Sequence, residues 1–224
     1  MVNKSLSILY SCILVFFVCG HLEAINSRPL VIILLGAPAS GKGTQAAFLK
    51  EKLQIPALST GELLRENRNN KTKLGLEAEQ YIDKGQLVPD EMILGMLFER
   101  LNEKDTQKGY ILDGFPRTLG QAEAYSAKVG SSVELLVINI DAPDSLLFER
   151  IKGRAQKEQR SDDTPAILEE RLKNYRLQTA PLVEYYRSQH LLYQINGAED
   201  AAKISSQIMA IIQDKQRALA ASSP

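Results

Sequence analysis

The sequence predicts an α/β fold: a central parallel sheet of about five strands, flanked by helices. Three observations carry the prediction. Short, continuously apolar runs recur along the chain, amphipathic helical patterns separate them, and the first run passes through a glycine-bearing loop straight into a helix. Strands covered by helices on both faces have no polar side to present, so they read as unbroken apolar runs instead of alternating ones.

Leu30–Leu35 (LVIILL), closed by Gly36, is the first strand of this kind, and further runs lie at Ile55–Leu58, Tyr110–Leu112, Val133–Ile140 and Leu191–Ile195. Helical patterns cover Lys42–Leu53, Asp90–Leu101, Thr118–Ala127 and Pro143–Ile151. A long helix is expected from Pro165, with Thr164 as its cap, because Leu168, Leu172, Tyr175, Thr179, Leu182 and Tyr186 recur at helical spacing. After the turn signal Asn196-Gly197, a last helix from about Asp200 is expected to bury Ile204, Ile208 and Ile211, with Ala218–Pro224 frayed. Two stretches stand outside the sheet layers: residues 60–88, helical and polar, and residues 155–163 (AQKEQRSDD), charged and without periodicity. Both read as excursions that can move.

The chain has 224 residues, 44% of them hydrophobic and 24% charged, enough to bury a real core as one domain with an insertion or two small domains. Lysine plus arginine equals aspartate plus glutamate at 27 each, which leaves no basic excess for a nucleic-acid backbone or an anionic membrane. Any anion must therefore be bound by local arrangement. The only cysteines, Cys12 and Cys19, lie near the N-terminus and the only histidines are His21 and His190, so no structural zinc is expected. Leu6–Gly20 is an apolar run behind Lys4, shorter than the roughly 20 residues of a membrane span, and it reads as a signal-peptide core with cleavage candidates after Gly20 or Ala24. The other reading is a tail on a soluble protein, and residues 1–27 are set apart from the fold.

Directly after the first strand comes Gly36-Ala37-Pro38-Ala39-Ser40-Gly41-Lys42-Gly43-Thr44. A strand, such a loop and a helix form a phosphate cradle: glycines let backbone N–H groups curl around phosphate oxygens while the helix offers its positive end. Lys42 supplies a point charge to the β and γ phosphates, and the Thr44 hydroxyl suits magnesium or its water.

The form GxPxxGKGTQ, with Gly43 between Lys42 and Thr44, resembles the loop of adenylate kinases among the nucleoside monophosphate kinases. That family usually carries glycine where Ala39 stands, so the turn here is expected to suit an alanine with φ below zero. The resemblance runs on through LSTGELLR (Leu58–Arg65), GQLVPD (Gly85–Asp90), the most specific segment YILDGFPRT (Tyr110–Thr118) with Gln121, and the series Arg150, Arg154, Arg160, Arg171. It implies a P-loop kinase fold spanning residues 28–224, with an AMP-binding insertion over 60–88 and a short lid over 154–164.

It also implies roles. Ala39, Ser40, Gly41, Lys42, Gly43, Thr44, Arg150, Arg154 and Glu199 would serve ATP. Thr60, Arg65, the backbone of Gln86, Leu87 and Val88, then Gly114, Phe115, Pro116, Arg117, Gln121, Arg160 and Arg171 would serve AMP. Lys42, Arg117, Arg150, Arg154, Arg160 and Arg171 would act in catalysis, and Asp113 with Thr44 would reach magnesium through its water. Arg117 suits a bidentate fork on the AMP phosphate and Gln121 the adenine edge, while Ser59 and Glu62 are read instead as a helix capping box. The implied reaction is Mg·ATP plus AMP giving two ADP, in a monomer with no nucleic-acid partner and a membrane partner only if the leader is an uncleaved anchor. A UMP/CMP kinase and a non-catalytic P-loop module are the competing readings; threonine at both 60 and 118 favours AMP. Substrate supply points to the cytoplasm, the leader to export or anchoring through residues 1–24.

Overall fold

The structure, a computed structural model, describes residues 28–158 and 164–222. Its sheet has five strands, all parallel, in the order β2 (Ala57–Ser59), β3 (Gly109–Asp113), β1 (Leu30–Leu35), β4 (Glu134–Asp141), β5 (Leu192–Asn196). The strand that precedes the phosphate loop is thus central, with Val31 in register with Tyr110 on one side and Leu135 on the other.

Both faces of β1 are covered, which is why LVIILL shows no alternation. Val31, Ile33 and Leu35 enter a core completed by α4 (Asp90–Leu101), α5 (Leu119–Val129) and α8 (Pro181–Ser188). Ile32 and Leu34 enter the opposite core, completed by α1 (Lys42–Leu53) and α9 (Ala201–Ser222). A third cluster joins Ala37 of the loop to Leu147 and Ile151 of α6 (Asp144–Glu158) and to Leu168 and Leu172 of α7 (Pro165–Asn174). The phosphate loop is therefore packed from beneath and from the side. The off-sheet helices α2 (Thr60–Asn69) and α3 (Lys73–Ile82) are helical as expected, but not wholly polar: Leu64, Ala78 and Ile82 are buried in the first core.

β1, α1 and α4 have the expected limits, whereas other elements shift. β2 begins only at Ala57, since Pro56 has no N–H for the ladder and contributes its carbonyl to Ile111 instead. α6 runs through Glu158, into the charged stretch expected to lie outside the helices.

The single helix expected from Pro165 to Tyr186 is in fact two. Thr164 caps α7 as expected, accepting from the Ile167 N–H at 3.3 Å, but α7 ends at Asn174 and a π-helical turn, Tyr175–Thr179, leads to α8. Pro181 is the cause, because its ring and missing N–H break the bonding pattern of the preceding turn, and the widened turn ties the Ala180 N–H to the Tyr175 carbonyl at 2.8 Å. The apolar stripe survives the break, with Leu168, Leu172, Leu182 and Tyr186 all buried.

In α9 the expectation is corrected twice. Ile212, not Ile211, completes the buried face with Ile204 and Ile208, and the helix holds through Ser222 instead of fraying from Ala218. The leader lies outside the described residues; among those described, no helix is long and apolar enough to cross a membrane. Ile212 is 1% exposed, so Ile212→Ala is expected to cost about 3 kcal/mol in urea unfolding, against about 1 kcal/mol for the partly buried Ile211→Ala.

Candidate active site

Because all five strands run the same way, the loops leaving their C-terminal ends meet along one edge of the sheet. There they enclose a cleft of about 930 Å³ lined from the phosphate loop, α2, the segment 85–88, the loop after β3, α6, α7 and the turn after β5.

Gly36 has φ +142, and a Cβ there would stand 2.4 Å from the Ile140 carbonyl oxygen, so the loop leaves β1 hard against β4. Ala39 has φ +65, which overturns the expected negative value. The loop keeps the left-handed turn that glycine would fill, and the alanine methyl bears a steric cost of about 1 kcal/mol. Ser40 is buried, its Oγ without a hydrogen-bond partner among the described residues. Lys42 Nζ donates to the carbonyls of Gly36 at 2.8 Å and Ala37 at 2.9 Å, which holds the ammonium against the loop. Asp113, the last residue of β3, lies alongside Gly43, and Thr44 lines the same cleft.

Arg150 donates to the carbonyls of Ser40 at 3.1 Å and Gly197 at 2.8 Å, joining the phosphate loop to the turn after β5. Glu199 lines the cleft beyond it, accepts from Lys203 and Gln207 at 2.8 Å each, and pushes the Lys203 ammonium above its ordinary pKa through that hydrogen bond.

Across the cleft, Thr60 is buried and its hydroxyl donates to the Gly114 carbonyl at 2.8 Å, which also accepts from Arg117 Nε at 2.7 Å. Gly114 has φ +74, and a Cβ there would come within 2.9 Å of Arg117 Nη2, so the guanidinium lies over bare backbone. Arg65 Nη1 and Arg117 Nη2 stand 3.3 and 3.9 Å from the position a Cβ would take on Gly61. Two guanidinium groups brought so near one point repel each other, an arrangement suited to a shared anion.

Gln86, Leu87, Val88, Pro116 and Arg171 line the cleft. Phe115 does not: its ring is fully buried edge-to-face against Tyr125, centroids 5.7 Å apart, and the Phe115–Pro116 peptide is cis. Gln121 lines the cleft with both ends of its amide engaged, Oε1 accepting from the Arg117 N–H at 2.8 Å and Nε2 donating to Asp90 at 2.7 Å, each end retaining one further lone pair or N–H. Ser59 caps α2 by accepting from the Glu62 N–H at 3.4 Å, one half of the expected box. The side chain of Arg154, in α6, and the whole of Arg160 lie outside the described residues and atoms.

Sequence reasoning missed three supports. Asp90, which the sequence marks as the end of the GQLVPD segment and the start of a helix, holds both Gln121 and the Thr118 hydroxyl. Thr179 was read as a stripe position, yet its hydroxyl donates to the Arg117 carbonyl at 2.8 Å. Gln45, 1% exposed, accepts from Ser205 at 2.8 Å and donates to the Ala201 carbonyl at 3.1 Å, fastening α1 to α9. Gln45 closes the GKGTQ run, and a polar residue on the buried face of a helix is the signal of this support.

The chain matches a family described as Adenylate kinase over residues 34–191. A Leptospira biflexa protein named adenylate kinase is 45% identical over 180 residues, covering 80% of this chain and 97% of that protein. Proteins of the same name from Cyanothece sp. (43% over 183 residues, 81% of this chain and 94% of theirs) and Stenotrophomonas maltophilia (44% over 185 residues, 81% and 98%) are similar to the same extent.

The strained alanine gives a direct check on the loop geometry. Ala39→Gly is expected to raise Tm by about 2 °C in calorimetry, the relief of the left-handed strain exceeding glycine's added chain entropy. A lowered Tm would contradict the assigned turn.

Proposed function

Since the chain belongs to the adenylate kinase family and is a nucleoside monophosphate kinase, we propose that it transfers the γ-phosphoryl of Mg·ATP reversibly to AMP, giving two ADP. The observation that carries the reading is one cleft holding a phosphate loop on one side and the converging guanidinium groups of Arg65 and Arg117 on the other. A UMP/CMP kinase would share the fold; Thr60 and the Thr118–Gln121 pair support adenine.

ATP and AMP together carry about six negative charges at neutral pH. In this reading ATP lies along Ala39, Ser40, Gly41, Lys42, Gly43 and Thr44, with Arg150, Arg154 and Glu199 at its flank. AMP lies between Thr60, Arg65 and the backbone of Gln86 to Val88 on one side and Gly114, Phe115, Pro116, Arg117 and Gln121 on the other, with Phe115 contributing backbone only. Lys42 exchanges its two carbonyl acceptors for β- and γ-phosphate oxygens. An AMP phosphate oxygen then attacks the γ-phosphorus in line while the bridging oxygen departs with ADP, and the cations take up charge spread over the transferring group. Arg117 forks the AMP phosphate; Arg150, Arg154, Arg160 and Arg171 complete the cationic ring.

Among the described residues no three histidine, cysteine, aspartate or glutamate side chains gather to hold a metal. Asp113 and Thr44 place oxygen atoms beside the loop that would hold magnesium through its bound water, an arrangement that suits an ion whose own ligands are phosphate oxygens and water. When bound, the ion neutralises phosphate charge. The segments 60–88 and 154–164 close over the substrates and exclude hydrolytic water. The enzyme acts as a monomer in the cytoplasm, the alternative being export or anchoring through residues 1–24, which N-terminal sequencing of the purified protein decides.

A coupled assay with Mg·ATP and AMP, UMP, CMP or GMP tests the reading: strong AMP preference is expected, and UMP or CMP preference would overturn it. Lys42→Met is expected to cut kcat about 10³-fold with the fold intact, and unchanged turnover would remove the phosphate-loop role. Arg117→Ala is expected to raise KM for AMP at least tenfold while KM for ATP moves less than threefold, a split that a loss on the ATP side would contradict.

A further inference from the structure

We infer that Asp90 is a positioning residue that decides which purine the acceptor side of the cleft takes, by locking the Gln121 amide in one of its two orientations. The inference rests on the reading of that side as an AMP site.

Gln121 is 2% exposed, so its amide cannot exchange partners with solvent. Its Oε1 accepts from the Arg117 backbone N–H at 2.8 Å and its Nε2 donates to Asp90 Oδ1 at 2.7 Å. A backbone N–H can only donate and a carboxylate can only accept. Turning the amide over would press Oε1 against the carboxylate and the NH₂ against the N–H, replacing two buried hydrogen bonds with two repulsions. Asp90 is itself held: the Thr118 hydroxyl donates to its Oδ2 at 2.6 Å while accepting from the Gln121 backbone N–H at 3.1 Å. Asp90 also opens α4, whose positive end favours a carboxylate there.

The locked amide keeps one lone pair on Oε1 and one N–H on Nε2, in a fixed order. Adenine presents an amino donor beside the N1 acceptor. Hypoxanthine and guanine present the reverse, a carbonyl acceptor beside an N1–H donor. One amide orientation pairs with the first edge and the other with the second, so a residue that forbids the turn excludes 6-oxopurine monophosphates.

Initial rates of the full-length wild type, Asp90→Asn and Asp90→Glu, with AMP and then inosine monophosphate as acceptor at saturating Mg·ATP, test this. The AMP-over-IMP ratio of kcat/KM is expected to fall about tenfold in Asp90→Asn, which can donate as well as accept. KM for ATP is expected to change less than twofold, and Asp90→Glu to retain most of the ratio. A residue that merely starts a helix would lower both rates in the same proportion; that unchanged ratio overturns the proposal, as does an equal loss in the Asn and Glu variants. Should Asp90→Asn fail to fold, Asp90→Ser, which also donates and accepts and suits a helix start, is read by the same ratio with the same two outcomes. A wild type without preference for AMP over IMP would overturn the acceptor reading and this proposal together, whereas a selective wild type with equally selective variants overturns the lock alone.

Discussion

A chain whose basic and acidic residues cancel can hold polyphosphate only where it concentrates positive charge, and the fold is arranged around that constraint. Lys42, Arg65, Arg117, Arg150 and Arg171 come from five separate segments, and the parallel sheet delivers all of them to one edge. Gathering like charges is unfavourable without an anion, and backbone carbonyls offset part of that cost. Gly36 and Ala37 hold the Lys42 ammonium, Gly114 the Arg117 guanidinium, and Ser40 with Gly197 the Arg150 guanidinium. Each of these three cations thus has a neutral carbonyl acceptor, weaker than a phosphate oxygen.

Such orientation requires the carbonyls to be rigid. The phosphate loop rises from the most buried strand in the sheet, with Val31, Ile32 and Ile33 fully excluded from solvent, and its Ala37 is packed on α6 and α7. The glycine at position 36 lets the loop sit against β4 where no side chain would fit. Across the cleft from the loop, Asn174 of α7 donates to the Gly85 carbonyl and Thr179 to that of Arg117, so the broken helix braces both the 85–88 segment and the loop after β3. The π turn forced ahead of Pro181 carries the second of these contacts.

Much of this was legible in the sequence because it depends on local pattern. Continuous apolar runs betray a doubly covered sheet, and Thr164 with Pro165 marks a helix start. The phosphate loop and the segment after β3 announce themselves because their chemistry needs particular residues at fixed spacing. What stayed hidden depends on the third dimension. A periodic stripe persists through Pro181, so periodicity alone conceals the break. Ile211 and Ile212 are adjacent, and only the packing of α9 on the sheet selects between them. The sign of φ at Ala39 follows from a loop path held at both ends, not from the residue's own preference. Asp90 and Gln121 are far apart in sequence and meet only because α4 and α5 lie side by side, so the network that orients the amide leaves no local trace.

The central claim is that two nucleotides occupy one cleft side by side, and a calorimetric titration tests it most directly. Protein saturated with a magnesium complex of a non-transferable ATP analogue is titrated with AMP. The account predicts that one AMP binds per chain under these conditions, with the analogue retained. Displacement of the analogue by AMP, or no AMP binding once the phosphate loop is filled, would contradict it.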